Sequence, residues 1–325
     1  MTAQEADADP PFERLTILGL GLLGGSVAMA ARERGLARTI VGAGRRRGPL
    51  DFALENGIVD EAGDVASVSR GADCVVIATP VSSMAGVLRE VASDFAPNAI
   101  VTDVGSVKAP VVETLPGLLP DGMSFVGSHP MAGSHLKGVE NARADLFQGA
   151  CCVVTPLPDT DPAATARMTR FWTALGSFVL ERRPEDHDLH AAWISHAPHA
   201  IAFAFASALG VAPLGAGEMV GSGFRDFTRI SRSDGELWGD ILRANRKALA
   251  APLEAFGRSL SELARAIEEG DLQKVERFLM SARDGLSRLE PGAADVQPEP
   301  DGGNPVAKDH PHSNGGAGGG SNKST

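Results

Sequence analysis

Cysteine is scarce in this chain, with three in 325 residues, and two of the three are adjacent. Cys74, Cys151 and Cys152 therefore give no disulfide framework and no zinc-ligand spacing, and a reduced, cytoplasmic setting fits them. Positive charge is also in deficit. Thirty Lys and Arg against 41 Asp and Glu give a net charge of −11, whereas a nucleic-acid-binding protein usually carries a basic face. No apolar run reaches the ~20 residues a membrane span needs, so no membrane association is expected. The start, MTAQEADADPPFER, is acidic and lacks the apolar segment of a signal peptide. What is present is ordinary for a soluble globular protein: 43% apolar and 22% charged residues, in a chain long enough for two domains with real cores.

The first half alternates strand and helix. RLTILGL (14–20) reads as a buried strand, and LLGGSVAMAARER (22–34) as a helix stopped by Gly35. RTIVGA (38–43), DCVVIATP (73–80) and AIVTDVG (99–105) are further β-branched runs, with helices near 50–56, 82–93 and 108–115 between and after them. That order predicts a Rossmann-type α/β domain, a parallel sheet covered on both faces. CCVVTP (151–156) and GSFVLE (176–181) read as late strands around a helix in DPAATARMTRFWTAL. From Pro184 the pattern is all-α, and Pro198 predicts a kink near Ile194 to His196. The expected organisation is a disordered leader (1–13), a dinucleotide-binding domain (14–183), a helical substrate and dimerisation domain (184–290) and a disordered tail (291–325). Strongly apolar helices such as 199–209 need a further surface to cover them, and a homodimer is one outlet.

LGLGLLGGS places Gly19, Gly21 and Gly24 in GxGxxG register between the first strand and the first helix. Such glycines permit a tight turn, close approach of a pyrophosphate, and close helix–strand packing, with Leu22 and Leu23 opening the helix whose N-terminus meets the phosphates. About 20 residues on, an acid would read the ribose 2′-hydroxyl. Gly44 stands there, followed by Arg45, Arg46 and Arg47. An arginine at this point can pair with a 2′-phosphate, which favours NADP over NAD; the alternative is a solvated basic turn. Thr79 and Pro80, and Asp103 in VTDVG, lie at the carboxyl ends of strands, where cofactors bind in such sheets.

Taken together, GLGLLGGS, IATPV, VTDVGSVK, GSHPMAG with GVENARADLFQGA, and GFRDFTRISRSDGELW resemble, in content and order, the prephenate/arogenate dehydrogenase family of tyrosine biosynthesis. The resemblance runs from about residue 14 to 288. It implies a helical second domain of the 6-phosphogluconate-dehydrogenase type and an oxidation of a ring carbinol with loss of the ring carboxylate. Prephenate gives 4-hydroxyphenylpyruvate; arogenate gives tyrosine. His129 corresponds to the family's catalytic histidine, and a neutral imidazole suits proton removal from a hydroxyl near neutral pH. Ser106 corresponds to a serine near the nicotinamide, although a serine there also serves to cap a helix from Val107. Arg229 corresponds to the arginine that grips a substrate carboxylate, with an ion pair to Asp226 as its structural alternative and Arg225 as a less certain helper. Trp238 corresponds to a tryptophan that approaches the pocket from the partner subunit, or else simply packs a helix. Ser195, His196 and His199 match positions near the substrate. His187 and His190 are weaker candidates, and four histidines without HExxH or a carboxylate at ligand spacing do not suggest a metal.

One departure bears on substrate. Six residues after His129, where bacterial members often carry an acid, stands His135, preceded by Ser134. That position lies near the substrate side chain in the family, so prephenate is favoured over arogenate without being fixed. No mutase module before residue 14 and no regulatory ACT domain after 290 are expected. Two other readings compete. A 3-hydroxyacid dehydrogenase of the 6-phosphogluconate type would need a lysine base on the helix from 184 to 210, which has none. A non-catalytic dinucleotide sensor would not need Ser106, His129 and Arg229 together.

Overall fold

The β-branched and aliphatic residues of the first strand are buried on both sides, and that strand lies mid-sheet. The computed structural model describes residues 12–134 and 136–289. His135, the tail and most of the leader lie outside the described residues. Residues 12 and 13, read above as leader, are the first two of β1 (Phe12–Leu18). Beside it stand β2 (Ala37–Ala43), β3 (Glu61–Gly63), β4 (Cys74–Ile77), β5 (Ile100–Asp103), β6 (Ser124–Pro130), β7 (Cys151–Thr155) and β8 (Phe178–Glu181), in the order β3-β2-β1-β4-β5-β6-β7-β8.

Strands β1 to β6 are mutually parallel, joined through α1 (Leu22–Glu33), α2 (Arg47–Glu55), α3 (Val65–Val68), α4 (Val81–Val91) and α5 (Ala109–Thr114). Successive side chains leave opposite faces of a strand, so Cys74 and Val76 join a core with Leu15, Val27 and Trp172, while Val75 and Ile77 join Met84, Leu88 and Val101. Burial on both faces is what a parallel sheet requires.

The parallel sheet expected of the first half is present, and one late strand departs from it. β7 runs antiparallel to β6, with His129 opposite Val153 and Pro130 opposite Cys152. A parallel return needs a long crossover, usually a helix. Between β6 and β7 the only helical piece among the described residues is a 3₁₀ turn at Val139–Asn141, so the chain comes straight back. α6 (Pro162–Ala174) then carries it to β8, parallel to β7.

From Pro184 the chain is helical. α7 (Pro184–Ala191) and α8 (Ala197–Ala208) are joined by one π turn, Ala192–His196. This turn falls on Ile194 to His196, where the sequence predicts a kink. Pro198 has no N–H for the carbonyl four residues back, and the ladder rewinds around that loss. Pro184–Val211 is 28 residues long and, by length and composition, could cross a membrane. Histidines and acids interrupt its apolar run without lowering the average hydropathy below that of a span. His187, Asp188 and His196 within this stretch are buried in protein.

α9 (Ser222–Thr228), α10 (Gly235–Ala244) and α11 (Arg246–Glu268) follow. The chain divides into two compact units, one through Arg258 and one from Ser259. The second holds the end of α11 and α12 (Leu272–Ser287), whose N-terminus is capped by the Asp271 carboxylate accepting from the Lys274 amide at 3.0 Å.

Candidate active site

The carboxyl ends of β1, β4, β5 and β6 line one edge of the sheet, and each is followed by a residue type suited to a ligand. Gly19 leaves β1 at φ +109°, a conformation side chains rarely adopt, and a Cβ there would stand 2.9 Å from the Ala78 carbonyl oxygen. A Cβ on Gly24 would collide with the Gly19 carbonyl oxygen, so α1 approaches the strand as closely as it does because of that glycine. Gly21 differs: at the N-cap of α1 with no side-chain cap, a Cβ there would meet no atom within 4 Å. Uncapped first-turn amides beside open space suit a pyrophosphate. Leu22 and Leu23 give those amides and pack their side chains on the core. Thr79, after β4, holds a buried hydroxyl with no hydrogen-bond partner, and Pro80 follows it, exposed, at the N-cap of α4. Arg45, Arg46 and Arg47 are exposed and form no ion pair among the described residues. These residues fit a dinucleotide.

Asp103 is placed otherwise than expected of a cofactor contact. Its side chain is fully buried in an ion pair with Lys108, itself fully buried. The Asp103 carboxylate also accepts from the Gly105 amide at 2.8 Å and the Ser128 amide at 3.1 Å. All its capacity is spent inward, so any effect on a cofactor passes through the strand end that it braces. Lys108 Nζ donates to the Ser128 carbonyl at 2.7 Å, while Trp172 Nε1 donates to the Ser128 hydroxyl at 3.0 Å, which also bonds Thr102 Oγ1 at 2.8 Å. Every polar group of Ser128 is thus held, and His129 follows it on a fixed strand, not in a free loop.

His129 is 6% exposed. Its Nδ1 lies 2.8 Å from Nε2 of His187, whose own Nδ1 lies 2.8 Å from Oδ1 of Asp188. The Asp188 carboxylate takes the first amides of α5 as well, Lys108 N at 2.6 Å and Ala109 N at 2.9 Å. Ser106 therefore does not cap that helix, which starts at Ala109 with Asp188 supplying the acceptor. The Ser106 hydroxyl has no bond among the described residues and stays available to a ligand.

A second group stands on the helices. His196 is fully buried, its Nδ1 2.9 Å from Asn245 Nδ2, and its Nε2 is buried without a hydrogen-bond partner. His199 Nδ1 donates to the Ser195 carbonyl at 2.9 Å. Trp238, from the same chain, stacks on His199 with ring centres 3.6 Å apart and meets His196 edge-on at 6.1 Å. Arg229 lies near enough to His199 to disfavour its protonation, is exposed, and makes no ion pair with Asp226, which is also exposed. Arg225 turns away, donating to the Val220 carbonyl at 2.7 Å. Ser134 is exposed and accepts from the Leu136 amide at 3.2 Å, and His190 is exposed away from His187.

Burial pushes the three interior histidines toward their neutral forms. His129 is held well below 6.5 by desolvation, then by His187, Lys108 and His196. His187 is lowered by burial against the opposing pull of Asp188, and His196 is lowered by burial to about 4. The unfolded chain binds these protons more readily, so stability is present above pH 6.5 and is lost as pH falls toward 4. The melting temperature should therefore drop through that window. A flat melting temperature between pH 6.5 and 4.5, compared with a His196→Gln variant, would contradict it.

Asp188, Asn245 and Lys108 escape a reading of motifs. Asp188 sits beside a histidine in an acidic helix start, which gives a weak signal. Asn245 has none, being 49 residues from His196.

Comparison with known proteins bears on this constellation. The family model described as prephenate dehydrogenase, nucleotide-binding domain, matches residues 27–181, and that described as prephenate dehydrogenase, dimerization domain, matches residues 183–281. Prephenate dehydrogenase of Bacillus subtilis is 33% identical over 291 residues, 86% of this chain and 78% of that one. The crystal structure of prephenate dehydrogenase from A. aeolicus in complex with hydroxyphenyl propionate and NAD+ is 30% identical with a TM-score of 0.78, covering 86% of this chain and 98% of that one. Arogenate dehydrogenase of Synechocystis is 31% identical with a TM-score of 0.70, covering 85% and 99%.

Proposed function

This chain belongs to the prephenate dehydrogenase family, and from that premise we propose that it oxidatively decarboxylates prephenate to 4-hydroxyphenylpyruvate with a nicotinamide cofactor. The observation that carries the reading is His129: a buried, neutral imidazole at the carboxyl end of β6 with Nε2 unpartnered among the described residues. When bound, the nicotinamide supplies a hydride acceptor. His129 Nε2 takes the proton of the ring hydroxyl as the carbinol carbon gives up hydride. The electron pair of the breaking ring–carboxylate bond enters the ring as carbon dioxide leaves, the ring becomes aromatic, and His129 Nε2 returns its proton to the phenolate oxygen. Ser106 stands after β5 to steady the same hydroxyl. Arg229 supplies an unpaired guanidinium for a carboxylate, and His196, His199, Ser195 and Trp238 form the wall beside it. Ser134 and Asp226 lie at the rim, each exposed.

We propose NADP as the preferred cofactor, on Arg45 and Arg46 beside the end of β2, where no acid stands. The double variant Arg45→Ala/Arg46→Ala should raise KM for NADP about tenfold or more and leave NAD little changed, since only the 2′-phosphate pairing is lost. Equal effects on both cofactors would remove that assignment. A homodimer through the helical half agrees with the dimerization-domain match and with apolar side chains left exposed there, including Val211, Leu214, Met219 and Phe227. A cytoplasmic location fits the free cysteines.

The direct test is absorbance of reduced nicotinamide with prephenate or arogenate, each with NAD and with NADP. Turnover of prephenate is the expected result. Silence in all four mixtures would end the enzyme reading, and faster turnover of arogenate would move the substrate. Arg229→Ala should mainly raise KM for the substrate; a normal KM would move the carboxylate grip elsewhere.

A further inference from the structure

The bonds around Asp188 contain more information than their number. A carbonyl oxygen and a carboxylate only accept, and a neutral imidazole has one donor and one acceptor. His187 faces the carboxylate of Asp188 through Nδ1 at 2.8 Å, so that nitrogen carries the proton. Its Nε2, 2.8 Å from Nδ1 of His129, must then accept, and the proton of His129 sits on Nδ1. Nε2 of His129 is left with a lone pair. On the other side, Asn245 Nδ2 lies 2.8 Å from the Asp188 carbonyl oxygen, which fixes the amide with its NH₂ toward that oxygen. The second hydrogen of the same NH₂ points to Nδ1 of His196 at 2.9 Å. His196 Nδ1 must accept, so its proton sits on Nε2, the atom buried without a partner. The Ser106 backbone lies near enough to favour a proton on the ring, though it makes no full hydrogen bond to Nε2.

We propose that Asp188 is a positioning residue that gives two histidines of one site opposite tautomers: through its carboxylate and His187 it makes His129 an acceptor, and through its carbonyl and Asn245 it makes His196 a donor. The proposal deepens the reading of His129 as base. An acceptor is what a hydroxyl proton requires, and a buried donor is what a carboxylate substrate requires. Neither tautomer is left to chance. Were His187 an imidazolium, its Nε2–H would donate to His129 and reverse the assignment. Burial first, and then Lys108, favour its neutral form against the opposing pull of Asp188 and Asp103.

The test reads the tautomers themselves. In the full-length protein labelled with ¹⁵N-histidine, long-range ¹⁵N–¹H correlation spectra, assigned by single His→Gln variants, distinguish the two forms at pH 7.5. The expected wild-type result is His129 protonated on Nδ1 and His196 on Nε2; either one in the other form overturns the proposal. Asp188→Leu removes both carboxylate oxygens, so nothing then holds the proton on His187 Nδ1 and His129 should lose its single Nδ1–H form, with kcat down about tenfold or more, because a base in the wrong tautomer cannot take the proton. His187→Gln keeps a carbonyl acceptor within reach of His129 Nδ1–H and should cost less than Asp188→Leu. Asn245→Asp should turn His196 around and raise KM for substrate while His129 stays as it was. Unchanged tautomers in Asp188→Leu or in Asn245→Asp overturn the hub. Should His129→Asn keep full kcat, the base reading fails on its own, since the spectra do not depend on turnover.

Discussion

His129→Asn will lower kcat by about 10²-fold or more and leave cofactor affinity nearly unchanged. Asparagine is a fair structural replacement here. Its amide reaches the place of Nδ1 and can still donate to His187, 2.8 Å away in the native protein, so the strand and its neighbours have no reason to shift. What disappears is Nε2, the atom with the lone pair. The glycine turn that fits the pyrophosphate lies on β1 and α1 and does not touch His129. Steady-state kinetics give kcat, and a direct titration with the cofactor gives its affinity. An unchanged kcat would remove His129 from the chemistry; a large loss of cofactor affinity with it would mean that the site had moved.

Asp103→Asn should cost the fold about 3 kcal/mol or more, because it leaves the Lys108 ammonium, fully buried, without its counter-charge. The Ser128 carbonyl remains as one acceptor at 2.7 Å, which is too little for a charge taken out of water. Burial already pulls Lys108 below its ordinary 10.5, and Asp103 opposes this. Without Asp103 the folded form binds that proton more weakly than the unfolded chain does. Stability of the variant should therefore recover as pH rises toward 10.5 and fall away below it. Urea midpoints of native and variant protein between pH 7 and 9.5 measure both effects. A loss under 1 kcal/mol at neutral pH would show that the pair is dispensable to the fold.

These two residues show unevenly how much the sequence disclosed. His129 stands in a block distinctive enough to name its role, whereas Asp103 looks in the sequence like a strand-end acid beside the cofactor. Only the packing shows its carboxylate closed off by Lys108 and two backbone amides. Six of the eight strands are legible as β-branched runs between turn residues. β3 is three residues long, and β6 contains Gly127 and Pro130, which read as a turn until the register places them opposite β7. The kink before Pro198 is legible because one missing N–H has a local consequence. Bonds across 58 residues, as between His129 and His187, have no local trace, since spacing along a chain says nothing about which helix end will meet which strand.

The stack of Trp238 on His199 also gives the protein a built-in optical probe. The chain has no tyrosine and three tryptophans, so its ultraviolet emission is indole alone. Trp172 is sealed in the sheet's core and Trp193 is 51% exposed to solvent, which separates their colours from each other and from an indole lying on an imidazole. Replacing those two with phenylalanine would leave a single fluorophore whose brightness follows the wall proposed for the substrate, so that occupancy could be watched in a cuvette without any turnover at all.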